Sequence, residues 1–118
     1  MLRRLLGDRA EDRALRYLRR EGWTLVARNW RVREGELDLV MSKGDTLAMI
    51  EVRARSRNDF GGALASVDRH KQARIVRAAR AFLAAHPQFR HHAVRFDVVA
   101  IEGSEAPQWI PNAFDAGE

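Results

Sequence analysis

A chain of 118 residues with 46% apolar side chains is long enough for one buried core, and its composition argues against wholesale disorder. No apolar run approaches the ~20 residues needed to span a bilayer, and the absence of cysteine excludes a disulfide framework or a thiolate zinc site. The net charge of +5 and the pI of about 10.9 favour a polyanionic partner.

Arginine supplies nearly all of the positive charge, since Lys43 and Lys71 are the only lysines. Its planar fork matches phosphate geometry. A GC-rich genome would also enrich arginine, so charge alone leaves nucleic-acid binding and compositional drift as competing readings. The stretch Met1 to Arg20 is interrupted throughout by Asp, Glu and Arg and has no continuous apolar segment of the signal-peptide type. The expectation is a cytoplasmic protein.

Residues 8 to 21 read as a helix, with Ala10, Ala14, Tyr17 and Leu18 at helical spacing and Gly22 as its stop. Residues 23 to 29 read as a strand, Arg31 to Gly35 as a polar link, and residues 36 to 41 (ELDLVM) as a second strand. Ser42 to Asp45 is a turn. Residues 46 to 53 (TLAMIEVR) have the apolar content of a buried strand. Residues 54 to 66, with Gly61 and Gly62, read as a loop. An amphipathic helix then runs from Asp68 to His86, closed by Pro87. Residues 93 to 101 (AVRFDVVAI) read as the last strand, and residues 103–118 as a tail, partly packed through Trp109, Ile110 and Phe114, outside a domain of residues 1–102. The order predicts a single α/β domain with a central mixed sheet.

The hairpin carries the chemistry. Alternate strand residues share a face, so Glu36 goes with Asp38, and Glu51 with Arg53. A turn at Lys43 and Gly44 would pair Met41 with Thr46, set Asp38 opposite Met49 and Glu36 opposite Glu51, and leave Asp38 and Glu51 diagonal neighbours on one face. Opposed acids repel, and a cation is the simplest compensation, Mg²⁺ or Mn²⁺ by the hardness of the donors. Solvated charges, or pairing with nearby arginines, are the alternative.

Two helical residues add to this. At about 100° per residue, Glu11 projects between Leu15 and Leu18, on the face that should meet the sheet. It either reaches water or an arginine at the rim, or serves as a further metal ligand. Lys71 projects near Ile75, while Arg74, Arg77 and Arg80 fall on the other side. Lys71 either contacts phosphate or snorkels past apolar neighbours. Asp97 beside Arg95 reads as an ion pair. His70, His86, His91 and His92 have no metal-ligand spacing, and no Walker, GxSxG or GxGxxG motif is present.

The combination of GELDLV at residues 35–40 with IEVRAR at residues 50–55 is specific. With Ala10-Glu11, Arg28-Asn29, Lys71, residues 95–99 (RFDVV) and Asn112-Ala113-Phe114, it resembles the YraN-like family of small bacterial proteins. These are predicted endonucleases similar to Holliday-junction resolvases of the PD-(D/E)xK class, with a restriction-endonuclease-like fold. The resemblance covers nearly the whole chain. It implies that Asp38 and Glu51 bind the metal, with Glu11 as the helical acid. Arg53 stands where the family motif has lysine, and arginine, being always protonated, stabilises charge but does not act as a base. Arg28, Arg31, Arg55 and Lys71 become candidates for backbone contacts to DNA. The implied activity is metal-dependent cleavage of DNA, including branched DNA, with no small-molecule cofactor and no membrane partner. A homodimer follows from likeness to resolvases, because two symmetric cuts need two sites. The alternative is a nucleic-acid-binding module without turnover, and a third reading is a protein-interaction domain with an incidentally basic surface.

Overall fold

Ala10, Ala14 and Leu18 recur every four residues, and that stripe is buried along α1 (Leu2–Arg20). The computed structural model describes residues 2–55 and 62–117. The helix begins earlier than the apolar spacing predicts, and Gly22 follows it at φ +93°, a conformation glycine adopts without steric cost. After it come β1 (Thr24–Val32), β2 (Gly35–Lys43) and β3 (Thr46–Arg55), then a short α2 (Gly62–Ala65), α3 (Arg69–Ala85), a 3₁₀ turn at Pro87–Phe89, β4 (Ala93–Glu102) and β5 (Gln108–Phe114). Asp68 caps α3, its side chain accepting the Lys71 N–H at 2.9 Å.

The five strands lie in the order β1-β2-β3-β4-β5, antiparallel except for the parallel pair β3/β4. That parallel pair requires a crossover, which α2 and α3 provide on one face. The sheet is buried on both sides. Leu37, Val40, Leu47, Met49, Phe96 and Val98 pack with Ile75, Val76, Ala79 and Phe82 of α3. Leu39, Met41, Ala48, Ile50, Val99 and Ile101 pack with Ala10, Ala14, Leu15 and Leu18 of α1. This is the α/β single domain with a helix-flanked mixed sheet that the residue pattern predicts. Among the described residues no helix is long and apolar enough to cross a membrane.

Two features of the sheet depart from the sequence reading. The tail contributes β5, at the end of the strand order, so an edge position accommodates Pro111. The β2/β3 turn is Gly44-Asp45, not Lys43-Gly44: Lys43 pairs with Thr46, Met41 with Ala48 and Val40 with Met49. The register therefore differs by two residues from the predicted one. An even slip by itself turns no side chain to the other face.

Gly35 fixes how α3 sits on the sheet. It is buried at the start of β2, and a Cβ there would lie 2.5 Å from the Arg74 carbonyl oxygen. Gly35→Ala is expected to cost about 2 kcal/mol or more, because backbone, unlike a flexible side chain, must shift. Chemical denaturation measures the loss, and wild-type stability in that variant would refute the close approach.

Candidate metal and phosphate site

The site arises from a break in strand alternation. Leu37 faces α3 and Leu39 faces α1, so the pleat slips at the residue between them, Asp38. Across the β1/β2 ladder, between the Arg28–Leu39 and Trp30–Leu37 pairs, stands Asn29 at φ +52°, a left-handed conformation that asparagine tolerates better than most residues. On the other side, the β2/β3 ladder ends at Leu39–Ile50. Beyond it the Asp38 carboxylate reaches into the seam, and its Oδ2 accepts the Val52 N–H at 2.9 Å.

Strand β3 keeps its alternation, with Leu47 and Met49 toward α3 and Ala48, Ile50 and Val52 toward α1. Glu51 and Arg53 therefore project toward α3. With Glu36, Asp38, Lys71, Arg74 and Ile75 they line a pocket of about 210 Å³. Asp38 and Glu51 lie close enough across the seam to feel each other's charge. The two acids come together as the sequence predicts, but past the end of the ladder and not as diagonal neighbours within it.

Burial, and after it the negative charge of Glu51, push the Asp38 carboxyl up to about 8, against the opposing pull of the Val52 N–H. Asp38 thus carries its proton near neutral pH. The sign for stability follows. The folded chain retains a proton that the unfolded chain, near its ordinary 3.8, has released. Between about pH 4 and about pH 8 stability falls as pH rises, with the contribution intact only below that window. Thermal denaturation of chelator-treated protein should show Tm declining through this range, and the decline should vanish in Asp38→Asn.

The remaining candidates fall into place around this pair. Glu11, on α1, lies close enough to Asp38 to feel its charge; burial first and that charge second raise its carboxyl, while Arg28 lowers it. Arg28 binds Glu11 at 3.2 Å and Asp12 at 2.8 Å, and Asn29 adds a small lowering of the Glu11 carboxyl. Glu36 pairs with Arg31, its ladder partner on β1, at 3.2 Å, and the β2/β3 ladder ends before it could oppose Glu51. Arg53 binds Glu51 at 3.1 Å and reaches the Ser66 carbonyl at 3.4 Å, but its buried Nε has no hydrogen-bond partner among the described residues. Lys71 is exposed at the pocket mouth. Arg55 is the final residue of β3, and its side chain lies outside the described ones.

Three features escape the sequence reading. Arg74, assigned there to the far side of α3, lines the pocket. Asn29 enters only as part of a resemblance, although a polar residue disfavoured in strands was the available signal. Asp97 is more than an ion pair. It is 0% exposed, holds Arg95 through both oxygens at 3.1–3.2 Å, and accepts the Trp109 Nε1–H and the Asn112 N–H at 2.9 Å each.

Among the described residues no group of three His or carboxylate side chains is set to hold an ion as it stands. Glu11 is engaged by Arg28, which leaves Asp38 and Glu51 as a pair. Two carboxylates set together in one pocket offer hard oxygen donors of the kind a divalent cation takes.

Fold and site together define a helix-flanked α/β domain with a carboxylate pair at a strand seam, opposite basic side chains. The profile of the uncharacterised protein family UPF0102 matches residues 10–101, and the chain belongs to that family, the YraN-like group its motifs resemble. It is 50% identical over 113 residues to a UPF0102 protein of Pseudomonas putida (strain GB-1), covering 92% of each chain. It is likewise 50% identical over 113 residues to one of Ectopseudomonas mendocina (strain ymp), covering 94% of this chain and 95% of that one. A UPF0102 protein of Alcanivorax borkumensis (strain SK2) is 46% identical over 112 residues, covering 92% and 90%.

Proposed function

We propose that this protein is a Mg²⁺- or Mn²⁺-dependent endonuclease acting on DNA phosphodiester bonds, with branched or structured DNA as the first substrate class to test. The supporting observation is the Asp38–Glu51 pair, two strand acids brought together beside three basic side chains in one pocket. A bound cation supplies Lewis acidity, acidifying water and polarising the scissile phosphate.

Asp38 and Glu51 would hold that cation, with Glu11 as the candidate for a further donor. The Val52 N–H orients the Asp38 carboxylate at 2.9 Å. Arg53, always protonated, stabilises charge that builds on the phosphate and leaves base chemistry to other groups. Arg31, Arg55 and Lys71 contribute backbone contacts, which should weaken steeply with salt. Arg28 contributes through Glu11, because its own charge is matched by Glu11 and Asp12.

Arginine in the place of the motif lysine favours one rival, a nucleic-acid-binding module without turnover. The test incubates a four-way junction, a flap and a duplex with Mn²⁺ and wild-type protein, Glu51→Ala or Arg53→Lys. Cleavage lost in Glu51→Ala supports the enzyme, and faster cleavage by Arg53→Lys would identify Arg53 as the brake. Salt-sensitive binding with no cleavage by any of the three supports the module.

A further inference from the structure

The pocket has two chemically distinct walls. Asp38 and Glu51 form the acidic one, whereas Arg53, Lys71 and Arg74 form a basic one along β3 and α3. Charge is unevenly matched between them. Glu36 is matched by Arg31 and Glu51 by Arg53. Lys71 and Arg74 have no ion-pair partner among the described residues. Among the described residues the buried Arg53 Nε–H on the same wall finds no acceptor, and a buried donor left without one is costly. The position of Arg74 is set by backbone, because Gly35 lets the Arg74 carbonyl approach β2 so closely that no Cβ fits between.

We infer that Arg53, Lys71 and Arg74 form a phosphate subsite that binds its anion without a cation, with Arg74 as a direct contact. The Arg53 Nε–H supplies one donor to a phosphate oxygen, the Arg74 guanidinium a planar fork, and Lys71 a mobile point charge at the mouth. Arg77 and Arg80, exposed farther along α3, do not line the pocket and take no part. The assignment deepens the nuclease reading by locating the substrate phosphate, yet the binding it describes does not need that reading to hold.

The experiment titrates inorganic phosphate, and separately dimethyl phosphate, into the full chain in EDTA at fixed ionic strength, followed by ¹H–¹⁵N NMR of backbone and arginine Nε resonances. Saturable shifts at Arg53 Nε and around Arg74 are expected for the wild type. Arg74→Gln should weaken binding roughly ten-fold through loss of a charge-assisted pair, Lys71→Gln should weaken it less, and Arg77→Gln should leave it unchanged. Binding of phosphate alone marks a strand-end monoester as the ligand, and binding of both marks an internal diester. Non-saturable shifts, or equal weakening by Arg77→Gln and Arg74→Gln, would overturn the subsite. Phosphate binding in a protein that cleaves no DNA would overturn the nuclease reading and leave the subsite standing.

Discussion

Asp38→Asn is expected to abolish Mn²⁺-dependent DNA cleavage and, in the same protein, to raise its melting temperature. The two effects share one cause. An acid that keeps its proton up to about pH 8 is held in the folded state against its ordinary preference. Asparagine is neutral at every pH, its amide oxygen still accepts the Val52 N–H, and its amide nitrogen can donate to Glu51. The gain at neutral pH should be on the order of 2 kcal/mol, roughly 5–10 °C in Tm for a domain of this size. The loss in cleavage rate should be on the order of 10³-fold, since the cation would lose one of its carboxylate donors. Stability traded for a charged site is a common signature of function. Differential scanning calorimetry in EDTA, beside a junction-cleavage assay, reads both effects; a destabilised Asp38→Asn would mean that the carboxylate is structural.

Asp97→Ala should behave in the opposite way. Asp97 and Asp38 occupy comparable places, each a strand acid whose oxygen accepts a backbone N–H from the neighbouring strand where a ladder shifts or stops. The bulge in the β4/β5 ladder lies between Phe96 and Val98, and Asn112 at φ +51° turns its N–H onto the Asp97 carboxylate. What separates the two acids is compensation. Asp97 has a bidentate guanidinium from Arg95, itself stacked over Trp23 and Trp109 at 4.9 and 5.4 Å, whereas Asp38 faces another acid. Removing a buried charge from such a network leaves its partners uncompensated, a loss of about 3–5 kcal/mol. Strand β5 should come loose with it, exposing Trp109 and red-shifting tryptophan fluorescence before the main thermal transition. Wild-type stability and an unshifted spectrum in Asp97→Ala would show that β5 is held by packing alone.

The comparison also shows what a linear reading can reach. Glu51 and Arg53 were legible because β3 keeps strict alternation, so period two alone put them on one face. Asp38 was placed on the correct side of the chemistry by a register two residues away from the true one, because only odd slips change faces. The paired irregularity at Asn29 and Asp38 was not legible, since it belongs to two strands at once and leaves no periodicity in either. The Arg31–Glu36 pair was hidden for the same reason, as it depends on the β1/β2 register. Arg74 was misplaced because a helical wheel assigns direction but not proximity, and the approach of α3 over Gly35 decides the matter. Strand β5 was read as tail because Pro107 and Pro111 argue against a central strand, and an edge strand escapes that argument.

A metallonuclease built on this pair requires Asp38 to exchange its proton for a cation held together with Glu51. Isothermal titration of Mn²⁺ into the metal-free chain at pH 7, in two buffers of different ionisation enthalpy, examines that exchange. One site per chain is predicted, with close to one proton released on binding, affinity rising about ten-fold per pH unit below pH 8, and no site in Asp38→Asn. Binding without proton release, or undiminished binding in that variant, would remove the cation from the seam and with it the case for cleavage.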